Sequence, residues 1–186
     1  MEDINLLLIG AGISLIATII GYFAQTVVNN IFNSKGKVNI YVKSVYNKFK
    51  RTPWGFDPNG IFDVPLWIEI HNTKGKNEII RNMNLKLYFQ GKEVGKTVQI
   101  SHVESGERKL SYGNEGAYSF LINPYSIERY ELDFSAKKNE INSDFDEVRI
   151  SFFDSKDKYK EYKLFEVKNS WKVTINKIDD DWRLLK

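Results

Sequence analysis

The side chains able to do chemistry are few. The chain has two histidines, His71 and His102, and no cysteine. A zinc site needs His or Cys at short, fixed spacings, and neither a His-x-x-x-His pair nor a Cys pair exists. Each histidine reads as a turn or strand-end residue. Nucleophilic catalysis finds no thiol and no Gly-x-Ser-x-Gly turn, and no glycine-rich loop cradles a phosphate or a dinucleotide. Asp154 and Asp157 fall in a short polar turn, where aspartate bonds nearby backbone N–H groups. Asp179, Asp180 and Asp181 read as a solvated tail. Asp57, Asp63 and Glu69 could share acid–base work only if the fold brought two of them together, and their spacing does not require it. The expectation is a non-enzyme with no cofactor and no metal.

Binding chemistry has more to work with. Arg81, Arg129 and Arg149 each fall inside or beside a predicted strand. The planar guanidinium suits carboxylate and phosphate, so three convergent arginines would hold a small anionic ligand such as a nucleotide. Separated, they would pair with carboxylates on exposed strand faces. Trp54 and Phe56 sit in a Pro/Gly-rich loop, as a partner or membrane-interface contact or as packing over the end of a sandwich. The net charge of +3 is too small to point to nucleic acid.

What must position these groups begins at the N-terminus. From Ile4 to Ile31 no charged side chain interrupts the sequence. Its apolar heart, Leu6 to Val28, would rise about 35 Å as a helix, enough to cross a hydrocarbon core of roughly 30 Å with some tilt. The residues ahead of it, Met1, Glu2 and Asp3, are not the basic n-region of a cleaved signal peptide, and no small-x-small cleavage pair follows. The expectation is one spanning helix over residues 1–32. Gly10, Ser14, Ala17, Gly21 and Ala24 recur at spacings of four and three and fall within an arc of about 80°. Small residues on one side let helix backbones approach, so this stripe is the expected helix–helix interface of a homo-oligomer.

No Lys or Arg precedes the helix, whereas Lys35, Lys37, Lys43, Lys48, Lys50 and Arg51 follow it before the first acidic residue, Asp57. The excess of basic residues places that flank on the cytoplasmic side of a plasma (inner) membrane, with the N-terminus outside. The same residues could touch anionic headgroups. An exported domain on an uncleaved anchor is the competing topology.

Beyond a connector at 33–37, residues 38–178 alternate apolar and polar positions in short runs separated by turn residues, with a polar tail at 179–186. Val38–Val42, Val64–His71, Ile79–Phe89, Val94–Ile100, Ala117–Ile122, Ile127–Phe134, Val148–Phe152, Tyr159–Val167 and Trp171–Ile178 are the predicted strands. Leu66, Ile68, Ile70, Leu85, Leu87, Leu132 and Ile150 are the predicted core. The polar stretch 103–116 reads as a loop and the tail as a short helix or a disordered end. Seven to nine strands with no further helix indicate an antiparallel β-sandwich.

The runs Trp67–Asn72, Ile80–Leu85, Asn123–Pro124 and Val148–Asp154 resemble the strand-and-turn rhythm of bacterial immunoglobulin-like sandwiches, over roughly Val64 to Val167. The disulfide of antibody-type domains is missing. A sandwich implies no single function. The expected role is a membrane-anchored interaction or sensing module, with the bilayer and an unknown protein or small anionic ligand as partners. The alternative is a small membrane effector whose helices assemble to perturb the bilayer. In overall plan that chain is similar to the anchored β-domain effectors of bacterial antiphage defence, without a shared residue motif.

Overall fold

The computed structural model describes residues 2–141 and 143–186. Met1, in the expected anchor, and Asn142, in the polar stretch before the Val148 strand, lie outside the described residues. The unbroken apolar run forms α1 (Glu2–Ser34), ending two residues later than expected. It stops where Lys35 N–H bonds the Phe32 carbonyl at 3.0 Å and Gly36 turns the chain at φ 114°. A Cβ at Gly36 would sit 2.5 Å from the Thr73 carbonyl oxygen, so glycine alone allows the first turn of the domain to close against the helix exit.

Two antiparallel sheets follow. In the first, β1 (Val38–Ser44) and β10 (Ser126–Lys137) flank β3 (Ile61–Asn72). Short β2 (Gly55–Phe56) pairs with the start of β3, β6 (Val98–Gln99) extends the β10 edge, and β13 (Arg183–Leu184) extends the β1 edge. In the second, β4 (Glu78–Phe89) lies between β5 (Lys92–Lys96) and β11 (Glu147–Phe153), and β12 (Tyr159–Glu166) forms the edge beyond β11. Strand β9 (Phe120–Ile122) pairs with the start of β4. The polar stretch expected as a loop instead folds into a hairpin of β7 (His102–Ser105) and β8 (Arg108–Ser111). The principal order is β1-β3-β10 in one sheet and β12-β11-β4-β5 in the other.

Alternation along the strands turns one face of each sheet inward. Leu66, Ile68, Ile70 and Leu132 from the first sheet meet Leu85, Leu87 and Ile150 from the second, all fully or almost fully buried. Trp54 belongs to this core, stacked on Phe165 at 4.2 Å, and Phe56 meets Trp171 edge-on at 5.5 Å. The Pro/Gly loop therefore closes the end of the sandwich.

Two C-terminal expectations are corrected. Residues 171–178 are not a strand: they cross the end of the sandwich, held by Asn176 Nδ2 to the Trp54 carbonyl (2.9 Å) and Trp54 Nε1 to the Lys177 carbonyl (3.2 Å). Val173 and Ile175 consequently face solvent despite their alternation. The tail is neither helical nor detached. Asp179 accepts bonds from Ser44 N–H and Oγ, and β13 then occupies the β1 edge that a strand over 171–178 would have needed.

Candidate functional site at the helix-proximal end

The register assigns every loop to one end of the sandwich. Val38, Asn72 and Ser126 are directly paired neighbours across β1, β3 and β10, so the 73–77 and 123–125 connections lie beside the helix exit. Phe153 pairs with Arg81 near the start of β4, which brings the 154–158 turn to the same end. β13 runs antiparallel to β1, so the C-terminal Lys186 also returns there. The helix contacts this end directly: Gly75 N–H bonds the Asn33 carbonyl at 3.0 Å, and Lys37 bonds Thr73 through both backbone groups.

These turns are rich in lysine. Between them opens a cleft of about 550 Å³, lined by Lys74, Lys156, Lys158, Lys160 and Lys186 and floored by Ile40, Ile80 and Phe152. Its two carboxylates are already engaged. Glu78, 3% exposed, takes a bond from Lys74 at 2.8 Å and another from the Ser155 hydroxyl. Burial opposes ionisation of Glu78, yet the bonds from Lys74 and Ser155 outweigh it and hold its pKa below the usual value. Asp154 caps its own turn, accepting the N–H groups of Lys156 (2.9 Å) and Lys158 (3.0 Å). Burial raises its pKa, but those backbone bonds prevail and lower it. Lys156, Lys158, Lys160 and Lys186 make no ion pair among the described residues.

The expected basic flank divides between the two ends. Lys35 and Lys37 stay at the helix exit. Lys43 lies toward the end of β1, roughly 20 Å along a strand of that length, and donates to the Asp180 carbonyl. Lys48 and Lys50, in the loop beyond β1, pair with Glu131 and Asp57, and Arg51 lies in the same loop. The flank is contiguous in sequence only.

The three arginines are not brought together. Arg129 projects from the outer face of the first sheet, clamped on Glu69 through Nε (3.1 Å) and Nη2 (2.7 Å) and packed between Trp67 and Trp182. Arg81 and Arg149 stand on the outer face of the second sheet. Arg81 pairs with Asp157, while Arg149 lies 4.0 Å over Tyr88 and bonds Glu147 and Glu161. His71 bonds Glu69 at 2.7 Å beside Tyr41, and His102 is exposed near Glu104.

A buried acidic pair, which the spacing does not reveal, lies toward the other end. Asp63 on β3 and Asp133 on β10 occupy the outer face of the first sheet, two positions apart in register, as diagonal neighbours. Both are buried under the loop after β1. Asn47 Nδ2 donates to Asp63 (2.8 Å) and Asp133 (3.1 Å), while its carbonyl accepts from Phe49 and Lys50 N–H. Asp133 Oδ1 and the buried Tyr112 hydroxyl have no hydrogen-bond partner among the described residues. Burial, then repulsion from Asp63, pushes the Asp133 carboxyl up to about 8; burial also raises Asp63. Buried, the pair holds the 45–52 loop on the sheet through Asn47.

The stripe Gly10, Ser14, Ala17, Gly21 and Ala24 is exposed along one side of α1, and a methyl at Gly10 or Gly21 would meet nothing within 4 Å. No protein-family model matches the chain, and no curated protein matches its sequence.

Proposed function

We propose that this chain is a single-pass membrane protein. Its helix spans a plasma membrane with the N-terminus outside, and its β-domain is presented in the cytoplasm as a non-catalytic interaction or sensing module. One observation carries the anchor: Asp3–Ser34 is a helix long and apolar enough to cross a bilayer, its most apolar stretch is wholly exposed, and the domain core closes without it. Leaving so large an apolar surface in water is unfavourable by about 25 cal/mol per Å², and a bilayer removes that penalty. The lysines at the helix exit support the cytoplasmic orientation. The strand order supports an immunoglobulin-like domain, whose partner is an unidentified protein or small anionic ligand.

Orientation is tested with a single cysteine in a chain that has none. Glu107 is exposed at the tip of the β7–β8 hairpin. Glu107→Cys should resist an impermeant thiol reagent in intact cells and react after permeabilisation. Labelling in intact cells, with a cytosolic control protected, would place the domain outside.

A second reading, a membrane effector whose helices assemble, draws on the exposed small-residue stripe. Gly10→Ile with Gly21→Ile should weaken crosslinked oligomers in lipid discs, and Ile19→Leu should leave them unchanged. Equal crosslinking in all three chains would remove the stripe as the interface.

A further inference from the structure

We propose that the helix-proximal cleft holds the phosphate of an anionic phospholipid headgroup. The proposal rests on the membrane reading above and names a ligand for the end of the domain that faces the bilayer.

If Leu6 to Val28 fills the hydrocarbon, residues 29–34 rise a further 9 Å or so as helix, through a headgroup layer of about 5–8 Å per leaflet. The domain begins four residues after the helix, and Val38, the first residue of β1, already lines the cleft. The Gly75–Asn33 and Thr73–Lys37 bonds hold the 73–77 turn against the helix exit. The cleft therefore opens beside the headgroup layer. The same end exposes Tyr125 and Ile127, the pairing of an aromatic and an aliphatic side chain that suits a bilayer interface.

Lys156, Lys158, Lys160 and Lys186 converge from a turn, a strand and the chain end. Lys74 is spent on Glu78, and Asp154, bonded to the backbone of its own turn, offsets only part of the charge of Lys158 and Lys160. The cleft still carries more lysines than carboxylates, a net positive charge over an apolar floor, complementary to a phosphodiester with acyl-chain glycerol beside it. At the other end the corresponding lysines, Lys48 and Lys50, are each paired with a carboxylate.

The test uses the full chain in lipid discs of phosphatidylcholine alone or with phosphatidylglycerol, read by amide hydrogen exchange at residues 72–78 and 153–160. Phosphatidylglycerol should slow exchange there about fivefold for each lysine engaged. The variant Lys156→Gln/Lys158→Gln/Lys160→Gln should lose that protection, as should Lys186→Gln in part. Lys48→Gln/Lys50→Gln should keep it. Equal exchange in the two disc types, or equal loss in the Lys48/Lys50 variant, overturns the headgroup site while leaving the anchor intact. Protection by soluble glycerol phosphate in phosphatidylcholine discs overturns the lipid assignment in favour of a free phosphate monoester. A chain that enters neither disc contradicts the anchor itself, and the headgroup site falls with it.

Discussion

Asp133→Asn should stabilise the domain at pH 8 and have little effect near pH 4. The folded Asp133 carboxyl is raised, first by burial and then by Asp63, to about 8 against an ordinary 3.8. Across that window the folded chain keeps a proton that the unfolded chain releases. Stability therefore falls as pH rises from about 4 to about 8, and the loss is complete above the folded value. The two carboxylates share Asn47 and titrate as a pair, so the fall belongs to both. A proton held by the folded chain alone costs about 1.36 kcal/mol of stability for each pH unit climbed, so the drop from pH 5 to pH 8 is on the order of 3 kcal/mol. An amide at position 133 can accept from Asn47 with its oxygen and donate to Asp63 with its nitrogen, doing permanently what the shared proton does at low pH. Urea midpoints of the wild-type and Asp133→Asn domains, compared between pH 5 and pH 8, check this. A wild-type midpoint that is flat over that range would show that the pair does not hold a proton.

The helix and most strands are legible in the sequence because each rests on a pattern that needs only near neighbours. An uninterrupted apolar run specifies α1 whatever the rest of the chain does. Leu66, Ile68 and Ile70 alternate, and strand geometry sends alternating residues to one face, so all three reach the core. The same rule fails at Trp171–Ile178. Alternation there marks a segment that crosses the end of the sandwich, and only the pairing of β13 with β1 shows that the β1 edge is taken by another segment. The Asp63–Asp133 pair is hidden because it depends on the register of β3 against β10, between residues far apart in sequence. The helix-proximal cleft is hidden for a related reason. Lys35 and Lys37 are visible beside the helix in sequence, but Lys74, Lys158 and Lys186 join them only because alternate connections of an antiparallel fold return to the same end. Conversely, Lys48, Lys50 and Arg51 read in sequence as part of one basic flank, yet β1 carries the chain away from the helix before they occur.

In the proposed arrangement α1 is the anchor that keeps the domain in the membrane. Alkaline extraction of membranes tests it most directly, because strongly alkaline conditions strip proteins held by surface charge, including any held through the lysine cleft, and leave spanning helices in place. The full chain should remain in the membrane pellet. A chain beginning at Lys35 should move to the supernatant and keep its β-sheet spectrum, since the buried core contains no residue of α1. Recovery of the full chain in the supernatant, or of the chain from Lys35 in the pellet, would contradict the claim.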